Sequence, residues 1–144
     1  MTFFITLVRK LILFLLLITL PVMISLSNPL EEYLWKNRVV VTFSPSKNDT
    51  QRKEFLNNYD KYFCEVNARN IVHIDLIFDK KNHEIENFKS FIENLSLSSS
   101  EFHLILFGKD GGIKLKSRKT SLEELFSLID TMPMRKKEML NDKC

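Results

Sequence analysis

With 144 residues the chain has room for one domain once its N-terminus is set aside. Hydrophobic residues make up 44% of it, enough to bury a usable core of modest stability. A formal charge of +3, from 21 basic and 18 acidic side chains, excludes a global field that would call for nucleic acid or an anionic membrane.

The chain begins MTFFITLVRKLILFLLLITLPVMISLSNPLEE. Arg9-Lys10 precedes an apolar stretch from Leu11 to Ile24, interrupted by Thr19 and Pro21, and Ser25-Leu26-Ser27 sets small residues where a signal peptidase reads. Residues 1–27 are therefore expected to be a signal peptide, and 28–144 the domain. The alternative is an uncleaved anchor spanning residues 3–26. That would bury the charge pair at a few kcal/mol per charge, and the run after the pair is short of the roughly 20 residues a crossing needs. Both readings export the domain, into the periplasm or the medium or tethered to the membrane, which is touched only through this segment. Removing residues 1–27 takes away Arg9 and Lys10 and leaves 19 basic against 18 acidic side chains, a net of +1.

RVVVTFSP (38–45) is β-branched and stops at Pro45, a short buried strand. In NDTQRKEFLNNYDKYFCEV (48–66), Phe55, Tyr59 and Tyr62 share a helical face beside Leu56 and Phe63, with Asn48 or Asp49 as the N-cap. NIVHIDLIF (70–78) is a second strand with Val72, Ile74, Leu76 and Phe78 on one face. EIENFKSFIENL (84–95) spaces Ile85, Phe88, Ile92 and Leu95 as an amphipathic helix, and a serine-rich loop follows. FHLILFG (102–108) is apolar enough for a central strand. KDGG then offers turn residues, and IKLKS alternates to complete a hairpin. TSLEELFSLID (120–130) opens on a capping box at Thr120 or Ser121 and buries Leu122, Leu125, Phe126 and Ile129.

The order β-α-β-α-β-β-α joins a parallel crossover to a closing hairpin. It predicts an α/β fold, a thioredoxin-like sandwich with a mixed four-stranded sheet, with other four-stranded α/β sandwiches as the competitor. The stretches WKNRVVVTFSPS (35–46), Gln51, Arg69, LFGKDGGIK (106–114) and LFSLIDTMPMRKKEM (125–139) resemble the domain-of-unknown-function family DUF4174 over nearly all of residues 28–144. The resemblance implies a divergent thioredoxin-like fold with no established reaction. The family occurs alone in exported bacterial proteins and as a module in sushi-repeat-containing and coiled-coil-domain-containing matrix proteins.

The residues argue against thiol redox chemistry. A thioredoxin-type site follows the first strand and opens the first helix, where a helix N-terminus lowers a thiol pKa. Here that loop reads SPSKND, and SLSSSEF before the third strand offers no proline. Cys64 and Cys144 have no CxxC or zinc spacing. They either pair, closing a long loop worth roughly 4–5 kcal/mol in chain entropy, or remain a buried thiol and a frayed one.

Following the chain direction through this fold puts every signature stretch except Gln51 at one pole, opposite the usual redox loop. That pole gathers Arg38, Arg69, Lys109, Lys114 and Arg135, the acids Asp110 and Asp130, and the apolar Trp35, Met132 and Met134. A structural reading has Arg135 clamp Asp110 or Asp130 and latch the tail to the hairpin, with Pro133 starting a last helical turn. A functional reading makes the same pole a binding surface for a protein or an anionic ligand, since Trp and Arg are common hot spots and exposed methionines adapt. The stripe Lys114, Lys116, Arg118, Lys119 extends it or is a solvated face. His73, Asp75 and His103 lack a third ligand at metal spacing, so neither metal nor cofactor is expected. No phosphate loop or nucleophile elbow occurs, and aromatics do not interleave with the basic stripe as a nucleic-acid surface requires. The resulting expectation is an exported, non-redox binding or structural module rather than an enzyme. The alternative is a cryptic catalytic site at this pole with atypical thiol or carboxylate chemistry, Asp110 or Asp130 acting as base.

Overall fold

The computed structural model describes residues 28–79, 83–119 and 121–141. The expected leader or anchor, and Cys144, lie outside them. The chain enters through a 3-10 turn at Glu31–Tyr33 and then forms β1 (Arg38–Ser44), α1 (Thr50–Lys61), α2 (Phe63–Ala68) and β2 (Ile71–Ile77). α3 (His83–Asn87), α4 (Lys89–Asn94), β3 (His103–Phe107) and β4 (Ile113–Ser117) follow. α5 (Leu122–Asp130), α6 (Pro133–Glu138) and a 3-10 turn at Met139–Asn141 close the described chain.

The four strands form one sheet in the order β2-β1-β3-β4, with β1 and β2 parallel and the other two pairings antiparallel. This is the mixed sheet that the order of elements predicts, with β3 internal. Period-two alternation divides the core. Val40, Leu104 and Leu106 meet Phe55, Val66, Leu122, Leu125 and Ile129 of α1, α2 and α5 on one face. Val39, Val41, Phe43, Ile105 and Phe107 meet Phe88 and the incoming Leu30 on the other. Burying each such side chain contributes about 1.5–3 kcal/mol against exposure.

Both expected caps form where the capping residue is described. The Asp49 side chain accepts from the Arg52 N–H at 2.8 Å, and Ser121 Oγ accepts from the Glu124 N–H at 3.2 Å. The two long helical runs are each split by one aromatic residue, Tyr62 and Phe88. At Tyr62 the turn loses its helical twist. Val66 takes the next buried place after Phe55 and Tyr59, while Tyr62 and Phe63 stay exposed instead of continuing the predicted face.

Register places the functional residues. Arg38 pairs with Ile71 and Val39 with Phe107, so the starts of β1 and β2 lie beside the end of β3 and its turn to β4. α5 runs back toward that end and α6 crosses it.

A pole framed by two ion clusters

The β3–β4 turn is built by its glycines. Gly111 has φ +76, and a Cβ there would stand 2.7 Å from Leu34 Cδ2. Asp110 accepts from the Gly112 N–H at 3.1 Å and pairs with Lys114 Nζ at 2.7 Å. The Lys114 hydrogen bond, reinforced by that N–H and by the lysine charge, outweighs burial and holds the Asp110 carboxyl below its usual range. The segment before β1 is stitched to this turn, the Trp35 N–H donating to Lys109 O at 2.6 Å. That bond accompanies φ +64 at Trp35, a strained conformation for a bulky residue, while its side chain is 68% exposed.

Beneath the turn lie two buried guanidinium groups. Arg38, 1% exposed, donates from Nη1 to Arg69 O at 2.8 Å and to Glu138 Oε2 at 2.9 Å. Lys109 Nζ shares that carboxylate at 2.8 Å. Arg135, also 1% exposed, donates from Nε to Asp130 Oδ1 at 3.1 Å and from Nη1 to Ala68 O at 2.6 Å. Arg69 grips the same Asp130 with two bonds, 3.1 and 2.7 Å, while its guanidinium lies 4.4 Å from the Phe126 ring centre. Burial alone would raise Asp130 and Glu138. Hydrogen bonds and charge from Arg69 and Arg135, and from Arg38 and Lys109, bring both below the ordinary carboxylate range.

Chain direction thus brings the predicted residues together in two linked groups. Arg38, Lys109, Asp110, Lys114, Met132 and Met134 line a groove of ≈ 490 Å³ between the turn and the α5–α6 junction, with Trp35 tied to its rim. Arg69, Asp130 and Arg135 form the frame beside it, and Arg38 bridges the two through Arg69 O. Arg135 selects Asp130 of the two candidate acids. The carboxylate that sequence reasoning missed is Glu138. Its signal was Arg38 itself, a cation opening a buried strand with no nearby acid.

The basic stripe is divided. Lys116 Nζ donates to Leu95 O at 2.6 Å, and Arg118 pairs with Glu101 across the surface at 3.2 Å. His73 and His103 stand on opposite sheet faces, one paired in register with Val40 and the other with Phe43. His73 Nε2 meets Thr42 Oγ1 at 2.8 Å, and Asp75 binds Arg52 with contacts of 2.6–3.1 Å. Arg52 also donates to Lys47 O at 3.0 Å, tying down the loop between β1 and α1, in which no sulfur occurs. Cys64 is exposed on α2 and is not free. Cys144, the partner that the pairing alternative gives it, is outside the described residues.

Several solved structures share the fold, among them three from Plasmodium species. These three are the reduced 2-Cys peroxiredoxin of Plasmodium vivax (TM-score 0.57, 16% identity, 75% of this chain and 72% of that one), thioredoxin peroxidase I of Plasmodium yoelii (0.54, 17%, 80% and 82%) and the mitochondrial 2-Cys peroxiredoxin of Plasmodium falciparum (0.53, 18%, 71% and 79%). At such identities the likeness is one of fold: this is a thioredoxin-like domain. Residues 29–138 match the family described as "Domain of unknown function (DUF4174)", and the chain belongs to that family.

Proposed function

We propose that this is an exported, non-redox thioredoxin-like domain that works by binding, through the pole around Trp35, Lys109, Asp110, Lys114, Met132 and Met134. The observation that carries the reading is where apolar surface is left uncovered. Of the seven large hydrophobic side chains exposed among the described residues, Trp35, Ile113, Met134, Met139 and Leu140 belong to the segments that converge there. Apolar surface concentrated around a fixed ionic frame suits a contact site. Arg38 and Arg135 are internal and shape the groove, while a ligand meets the methionines, the tryptophan and the Lys114 edge. That combination fits an apolar side chain carried next to a carboxylate or another anionic group. The carboxylates at this pole are held ionised by cations, which makes them weak bases and favours binding over the cryptic-enzyme reading.

The test pairs two surface variants. Trp35→Gly with Met134→Ser removes the apolar contact and relieves the positive φ, so melting is unchanged or raised. Tyr62→Ala with Phe63→Ala removes exposed aromatics elsewhere. Partner capture from envelope extract is lost in the first and kept in the second. Retained capture by the first variant would overturn the proposal.

A further inference from the structure

The sheet has two edges, and they are built differently. β4 carries Lys114 and Lys116 along its outer strand, the ordinary guard against adding another strand. β2, the other edge, reads IVHIDLI and has no lysine or arginine.

Hydrogen-bond phase shows which β2 groups point outward. In a parallel ladder, the N–H and C=O of one residue face the partner and those of the next face away. The Arg38 N–H donates to Asn70 O and the Phe78 N–H to Ser44 O, so the even-numbered residues from 70 to 78 face β1. Ile71, His73, Asp75 and Ile77 therefore turn their backbone away from the sheet. Tyr59 closes the upstream end, its hydroxyl donating to Ile71 O at 3.4 Å and facing the His73 backbone. Among the described residues, what remains open is centred on Asp75, whose carboxylate is already engaged by Arg52 on the sheet face.

That stretch forms one wall of a groove of ≈ 730 Å³, closed by the 3-10 turn at Glu31–Tyr33 and by Asn87 and Phe88. Among the described residues its charge has one sign. Among the described residues, Glu31 and Glu32 stand exposed on the rim and make no ion pair, and the lining includes no lysine or arginine. His73, the one group able to become cationic among the described lining residues, is kept neutral near pH 7 because burial, against Asp75 and with help from Arg52, lowers its pKa to about 4. Tyr33 and Phe88 add apolar area.

We infer that the β2 edge is a strand-addition site for an extended, lysine- or arginine-bearing segment of a partner protein. The segment exchanges two backbone hydrogen bonds with Asp75 and sets its cationic side chains against Glu31 and Glu32. It is a second contact site, independent of the pole.

The test uses the full chain and a blocked hexapeptide alternating lysine and valine. Three controls accompany it: the same peptide N-methylated on alternate residues, a version with glutamate for lysine, and Glu31→Gln/Glu32→Gln protein. Binding is read from the Asp75 amide resonance and its hydrogen exchange. The expected result is slowed exchange at Asp75 with the lysine peptide, no binding of the N-methylated one, and affinity about five- to tenfold lower for the glutamate peptide and the variant. Equal binding of the N-methylated or the glutamate peptide, or no change at Asp75 up to millimolar peptide, would overturn the inference. So would a concentration-dependent dimer abolished by the Glu31/Glu32 variant, because a second copy would then be the occupant.

Discussion

Two residues carry more of the pole than their neighbours suggest. Arg135 is buried and supplies hydrogen bonds to both the Asp130 carboxylate and Ala68 O, so truncation removes charge and leaves a carbonyl unserved. Arg135→Ala is expected to cost about 3 kcal/mol or more, a fall of roughly 10–15 °C in melting temperature. Lys114→Ala, which removes a half-exposed pair with Asp110, is expected to stay within about 1 kcal/mol. Thermal melts of the two side by side separate these outcomes, and equal small losses would show that α6 is not latched through Arg135. Gly111 is the other such residue. Its positive φ and the nearby Leu34 methyl both oppose a side chain, so Gly111→Ala is expected to destabilise by more than about 1 kcal/mol, measurable by urea unfolding.

At the scale of elements, α6 is held as much by Glu138 at its far end as by Pro133 at its first turn. Glu138 neutralises Arg38 and Lys109, so Glu138→Ala strands a buried guanidinium and is expected to cost about 3 kcal/mol. Replacing Arg38 and Glu138 together by methionine and leucine removes charge and counter-charge at once. The double variant is therefore expected to melt above Glu138→Ala, and a double-mutant cycle that comes out additive would refute the pairing. These contacts also mark how far the sequence was legible. The strands follow from β-branching along Arg38–Ser44 and apolar density along His103–Phe107, and the Asp49 and Ser121 caps from local chemistry, because each is decided within a few residues. Chain direction then sufficed to bring the tail to the hairpin. The choice of Asp130 over Asp110, and the meeting of Arg38 with Glu138 a hundred positions away, depend on packed helix orientation that no local pattern encodes. The breaks at Tyr62 and Phe88 were equally silent, since neither glycine nor proline stands at them.

For the molecule as a whole, the groups that titrate are distributed so that acid acts on it in two stages. His73 lies between Phe55 and Tyr59 with ring centres 4.8 and 5.3 Å away, and burial lowers its pKa from 6.5 to about 4. Between those values the unfolded chain binds a proton that the folded chain refuses, so stability falls as pH drops from about 6.5 to 4, by a few kcal/mol at most from this residue. His103, also lowered by burial, acts in the same direction. The depressed carboxylates Asp110, Asp130 and Glu138 behave differently. Their contribution is complete above the unfolded carboxylate range near pH 4 and disappears only as pH falls through their lower folded values. The imidazoles thus weaken the core first, and the carboxylates release the hairpin and tail afterwards. Melting temperature against pH is expected to decline gently from pH 6.5 to 4 and steeply below 4. His73→Gln is expected to flatten the first stage and leave the second intact, because the glutamine amide does not titrate. A parent profile level down to pH 4, or a variant that keeps the full upper slope, would contradict the assignment of that stage to His73.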